Sequence, residues 1–140
     1  MSGTVIDASV VASWLLPDEA MGEALAIYER LPLEAAYVPT LWDFEIRNIL
    51  IVNERRGRIN SQAVDAALGL LADLNIRRDA ETDWDMAVSF SRQFSLTIYD
   101  AAYLELAVRI DLPLATFDKA LASAAARLGK LAPETPRLKP

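Results

Sequence analysis

Residues 3–16 read GTVIDASVVASWLL, and residues 113–128 read PLATFDKALASAAARL. Each begins as a short apolar run, reaches an aspartate, and continues as helix-forming sequence. The first predicts a strand over 3–7 and a helix from Ala8 to Leu16, stopped by Pro17. The second predicts a strand from Pro113 to Phe117 and a helix from Lys119 to Leu128, ended by Gly129. Between them, helices are expected at Ala20–Arg30, Leu41–Arg55, Ser61–Leu74, from Thr82 or Asp83 to Phe94, and at Tyr99–Ile110. Glu19, Glu23 and Glu29 mark the wet side of the first of these. Thr40 and Ser61 read as N-caps, and Gly57 as a helix end. Short strands are expected at Ala36–Val38, closed by Pro39, and at Asn75–Arg78. The tail from Leu131 to Pro140 is punctuated by proline, with room for one last short strand. Strands alternating with helices imply an α/β fold: a mostly parallel sheet of four to five short strands, flanked by helices on both faces. The chain reads as one domain over residues 1–140, without linker or repeat.

In such a sheet the ligand crevice lies beyond the carboxyl ends of the strands. Asp7 and Asp118 each end a strand, so parallel neighbours would bring both carboxylates to one edge. Two more acids sit in apolar surroundings, Glu45 within LWDFEIRNIL and Asp100 within TIYDAAYLELAV. Residues three and four apart share a helix face. Glu45 thus sides with Leu41, Trp42, Asn48 and Ile49, and Asp100 with Tyr103, Leu104 and Ala107. Asp43, Arg47, Glu105 and Arg109 diverge from those faces. Each acid has a plainer reading: Asp7 and Asp118 as helix caps, Asp100 as a first-turn acid, Glu45 paired with a buried arginine. Taken together, the plainer readings leave four apolar contexts unexplained. Two carboxylates 4 Å apart repel by about 4 kcal/mol at an effective dielectric of 20. A shared divalent cation is the economical solution.

Composition narrows the chemistry. The chain has 140 residues, 53% hydrophobic and 24% charged, enough for a real core. It has no cysteine and no histidine, which excludes disulfides, thiol and Ser-His-Asp catalysis, and the usual zinc ligands. Oxygen-only ligation suits Mg²⁺ or Mn²⁺. Carboxylates holding Mg²⁺ suit phosphoryl chemistry. A net charge of −6 argues against a nucleic-acid partner, unless metal offsets the acids locally. No segment approaches a membrane span, and a cytoplasmic protein is expected.

The ordered set VIDASVV, a mid-chain helical glutamate, YDAAYLELA and LATFD resembles the PIN-domain ribonucleases. The likeness is to the VapC-type toxins of bacterial and archaeal toxin–antitoxin pairs, and it covers essentially the whole chain. The resemblance implies that Asp7, Glu45, Asp100 and Asp118 bind Mg²⁺, with Mn²⁺ as a substitute, and that a metal-activated water cuts RNA. It matches Ser9 and Thr116 to the hydroxyls that accompany the first and last acids. It also implies a cognate antitoxin and a homodimer. Arg55, Arg56, Arg58 and Lys119 are candidates for RNA contact, beside plainer roles at a helix end or in solvent. Trp14, Leu15, Ala26, Ile27 and Tyr28 read mainly as core, with a partner surface as the alternative. Trp42 and Phe44 read as core. Two other functions stay open: a non-catalytic PIN-like binding module, and a receiver-type signalling domain with an acidic Mg²⁺ pocket.

Overall fold

The computed structural model describes residues 2–17 and 22–133. Among them the elements are β1 (Thr4–Ile6), α1 (Ala8–Leu15), α2 (Gly22–Arg30), β2 (Ala36–Pro39), α3 (Leu41–Arg55), α4 (Ser61–Asp73), β3 (Ile76–Asp79), α5 (Trp84–Phe94), α6 (Ile98–Ile110), β4 (Leu114–Ala115) and α7 (Lys119–Arg127). The four strands form one parallel sheet in the order β3-β2-β1-β4. All three residues of β1 are buried, as are Val38 and Leu114. Since successive side chains point to opposite faces, both faces of the centre are covered. Helix α6 lies against β1 and β2, and α3 against β2. The expected α/β sheet is present, with four strands among the described residues.

The chain lays down β1, β2 and β3 on one side, then returns with β4 on the other side of β1. The order therefore reverses between β1 and β4, where open α/β sheets place their ligand crevice. The register pairs Val5 with Leu114 and Ile6 with Ala115. The next residues, Asp7 and Thr116, thus leave the sheet side by side. Gly3 makes the entry possible: its φ is +135°, and a Cβ there would stand 2.4 Å from the Ala35 carbonyl oxygen.

Several local expectations shift. Strands β1 and β4 are shorter than expected: Asp7 and Thr116 lie just beyond their ends, although Asp7 N still donates to the Ala115 carbonyl at 3.3 Å. Thr40 is helical and makes no side-chain cap. Asn60, not Ser61, caps α4 through an acceptance from Ala63 N at 2.8 Å. Gly57 does end α3, at φ +74°. Phe44 is 80% exposed instead of core, whereas Trp42 is fully buried. In α2, Ile27 is buried and Ala26 and Tyr28 are half-buried. Trp14 donates to the Ala24 carbonyl at 2.8 Å and meets Tyr28 edge-on, which locks α1 onto α2. Among the described residues of the tail, Leu131 forms a parallel bridge to Leu114. The expected start of α2 at Ala20 and the tail beyond 133 lie outside the described residues.

Candidate active site at the acidic edge

Asp7 caps α1 and is 6% exposed. Its Oδ1 accepts from Ser9 Oγ at 2.6 Å and from Val10 N at 3.3 Å, and its Oδ2 accepts from the Thr116 hydroxyl. Both hydroxyls are themselves held. Ser9 Oγ accepts from Phe117 N at 3.0 Å, and Thr116 Oγ1 accepts from Asp118 N at 3.0 Å. Residues 116–118 are thereby stitched to the end of β1. Asp118 caps α7, accepting from Ala120 N and Leu121 N through Oδ1. Capping and a place in the site are not alternatives here. The caps fix where the two strand-end carboxylates sit.

Glu45 and Asp100 arrive from α3 and α6. Tyr103, 1% exposed and one turn after Asp100, donates its hydroxyl to Glu45 Oε1 at 2.5 Å. Asp100 lies in the first turn of α6, whose cap Thr97 accepts from Asp100 N at 3.1 Å.

Electrostatics link the four. Burial pushes the Asp7 carboxyl up to about 6, against the hydrogen bonds from Ser9, Thr116 and Val10, and Asp100 adds to the rise. Burial also raises Glu45, opposed by the Tyr103 hydroxyl and reinforced by Asp100. Asp100 is raised by burial and by Asp118. Asp100 is thus the hub that feels or is felt by the other three. None of the groups acting on Asp7, Glu45 or Asp100 is a cation. The Tyr103 hydroxyl is pushed far up by burial and by Glu45, so it stays a donor.

These residues fit a hard divalent cation. All the donors are oxygens, no cation is among the groups acting on Asp7, Glu45 or Asp100, and Asp7 and Asp118 are pinned by hydrogen bonds to fixed backbone. Among the described residues no three carboxylates stand close enough to clasp an ion by themselves.

Not every expected contact joins the site. Arg55, Arg56 and Arg58 are exposed at the far end of α3. Ten residues separate Arg55 from Glu45, about 15 Å along the axis. Arg58 also donates to Asn53 Oδ1 at 2.8 Å. Lys119 is exposed beside Asp118. Tyr103 counted in the sequence only as an apolar face-mate of Asp100. Its partner Glu45 is 58 residues away, and nothing local signals that bond.

The profile of the PIN domain matches residues 4–127, nearly the whole described chain. The chain belongs to the PIN-domain family. It is 32% identical over 120 residues to Ribonuclease VapC3 of Mycobacterium tuberculosis, covering 86% of this chain and 85% of that protein. It is likewise 32% identical over 124 residues to Ribonuclease VapC3 of Pyrobaculum aerophilum, covering 84% and 91%. In fold it is similar to a toxin–antitoxin complex from Klebsiella pneumoniae, with TM-score 0.65 at 15% identity over 95% of this chain and 98% of that one. This PIN domain is therefore of the VapC type, and the receiver-type reading is set aside.

Proposed function

We propose that this PIN domain is a Mg²⁺-dependent endoribonuclease, the toxin of a toxin–antitoxin pair acting in the cytoplasm. One observation carries the reading: three carboxyls at the sheet's switch point are raised by burial and by a neighbouring carboxylate, with no cation among the groups that act on them. Such an arrangement costs stability and is explained by a ligand that removes the cost. Asp7, Glu45, Asp100 and Asp118 would hold Mg²⁺, or Mn²⁺ in its place, one or two of them directly and the others through its waters. When bound, the cation offsets charge on the phosphodiester and favours ionisation of the attacking water.

The chain's own groups do the positioning. Ser9 and Thr116 hold both oxygens of Asp7 and orient its remaining lone pairs. The first turn of α7 orients Asp118, and the Tyr103 hydroxyl holds one oxygen of Glu45. Asp100, coupled to the other three, is where a bound cation relieves the most repulsion. The two VapC ribonucleases support RNA as the substrate, and the Klebsiella complex supports an antitoxin as partner. A homodimer accompanies this reading. No helix among the described residues is long and apolar enough to cross a membrane.

The test is cleavage of RNA by purified protein in Mg²⁺, beside Asp7→Asn and Asp100→Asn. The parent should cut and lose activity in EDTA. Each variant should lose at least about a hundredfold, more than the 10- to 100-fold typical of altered second-shell residues around a metal. Cutting by both variants at the parent's rate overturns the proposal.

A further inference from the structure

Glu45 is held by a residue that carries no charge. Tyr103 is 1% exposed and donates its hydroxyl to Glu45 Oε1 at 2.5 Å. It stands on α6 one turn after Asp100, about 4.5 Å further along the axis. The charges of Glu45, Asp7 and Asp100 all act on it, so its hydroxyl sits among three of the four acids. Packing does not require that oxygen. A phenylalanine would fill the same buried space, and a buried hydroxyl costs stability unless an acceptor meets it. Here the acceptor is a carboxyl already raised by burial.

Outside the acidic edge, cations hold several acids. On the same helix, Glu105 accepts from Arg109 Nε at 2.6 Å. Asp79 is met by that guanidinium, and Asp43 by Arg78 and Arg47. A guanidinium orients a carboxylate and offsets its charge in one contact. A tyrosine hydroxyl orients it and leaves the charge in place. Burial and the nearby acids push the Tyr103 hydroxyl far up, so it stays protonated and remains a donor. No cation is among the groups acting on Glu45. An acid that is to attract a divalent ion needs this second arrangement, a fixed position with its charge intact.

We propose that Tyr103 is a positioning residue of the acidic edge: its hydroxyl fixes Glu45 without neutralising it, and so sets how tightly the four acids take up a divalent cation. This rests on the reading of those acids as a metal site and adds to it a fifth residue that is not itself a ligand. The bond joins α6 to α3, so it also places Glu45 relative to Asp100. A purely structural tie between the two helices would strengthen the fold and leave cation affinity alone.

The probe is Mn²⁺ added to metal-free protein, with the free ion counted by its electron paramagnetic resonance signal. Tyr103→Phe removes one oxygen and should raise the Kd for Mn²⁺ by about 10- to 100-fold, the range for residues that orient a metal ligand. Its urea midpoint without metal shows that the affinity belongs to folded protein. Glu45→Gln should also weaken binding. Adding Tyr103→Phe to it should then change the Kd by no more than about twofold, because the tyrosine has no charged ligand left to place. Glu45→Asp keeps the charge, withdraws it from the hydroxyl by a methylene and spares the buried ring; it should weaken binding in the same direction. Parent-like Mn²⁺ affinity in Tyr103→Phe or in Glu45→Asp overturns the proposal. Equal losses from Tyr103→Phe in both backgrounds overturn it too, since the tyrosine would then not act through Glu45. Asp100→Asn keeps the two readings apart. If the parent binds Mn²⁺, Asp100→Asn does not and Tyr103→Phe changes nothing, only the role of Tyr103 falls. If Asp100→Asn binds as the parent does, the metal-site reading falls and this proposal with it.

Discussion

This chain buries acids in two opposite ways. At the switch point between β1 and β4, Asp7, Glu45 and Asp100 are raised and face no cation. Around β3, acids are met by arginine. Glu105 is fully buried, yet accepts from Arg109 Nε at 2.6 Å and from Asp83 N at 2.9 Å. The same guanidinium reaches Asp79 at 2.9 and 3.2 Å and holds its carboxyl below the usual range. Asp43 is lowered in the same way by Arg78 and Arg47. The second region shows that the fold can supply an internal counter-ion where it needs one. The acidic edge has no such counter-ion among the groups that act on Asp7, Glu45 and Asp100.

The sharpest way to break this contrast is to remove the counter-ion. Arg109→Ala leaves Glu105 buried and unpaired, and also frees Asp79. Breaking a buried pair from one side costs about 3–5 kcal/mol. Arg109 is 27% exposed, so the lower end of that range is expected, read as a drop in the urea midpoint. A loss under about 1 kcal/mol would mean that Glu105 tolerates burial without help, in conflict with the penalty for an unpaired buried charge. The unpaired acids at the edge would then need no special explanation.

The sequence carried these two regions unequally. The strand–aspartate–helix pattern at 3–16 and 113–128 set Asp7 and Asp118 on one edge on the condition that the two strands are parallel neighbours, and the sheet order meets that condition. Glu105 was not legible as a buried acid. Helix periodicity separates a dry face from a wet one, but every residue of α6 from Ala101 to Ala107 is buried. A helix dry all round has no polar face to betray. Phe44 failed for the converse reason. An aromatic in an apolar stretch reads as core, while Trp42 and Ile46 already fill the inner face of α3. Tyr103 was seen without its role, since hydrogen bonds between distant segments leave no trace in local pattern.

The edge itself should respond oppositely to mutation. In EDTA at pH 7.5, Asp7→Asn should stabilise the protein. The Asp7 carboxyl titrates at its ordinary 3.8 in the unfolded chain and at about 6 when folded. Across that window the folded state keeps a proton that the unfolded chain has released. Stability therefore falls as pH rises from about 4 to above 6, and no penalty remains below the unfolded value. Two units correspond to about 3 kcal/mol. Asparagine recovers less than that, about 1–2 kcal/mol, because its NH2 replaces one accepting oxygen and one of the Ser9 and Thr116 hydroxyls must reorient, at roughly 1 kcal/mol per altered bond. Denaturation at pH 7.5 and at pH 4 should show the gain at the first and most of it gone at the second. Mg²⁺ should stabilise the parent more than the variant, since only a ligand of the folded state adds stability. A destabilised Asp7→Asn protein at pH 7.5 without metal would place Asp7 with the satisfied acids instead.

Asp43 offers the smallest effect and separates pairing from burial. Its partners match those of Glu105 in kind: it accepts from Arg78 at 3.0 and 3.1 Å and from Arg47 at 3.1 Å. Yet its side chain is 33% exposed, and those of Arg78 and Arg47 are 36% and 52%. Exposed pairs contribute about 0–1 kcal/mol, with a few tenths more from an acid in the first turn of α3. Asp43→Ala should therefore cost about 1 kcal/mol or less, against several for Arg109→Ala. Burial, not the number of arginine contacts, would then set what an acid costs in this fold. Should Asp43→Ala cost as much as Arg109→Ala, contact count would be the governing quantity. The raised carboxyls of the acidic edge would then reflect missing partners more than the dry ground on which they stand.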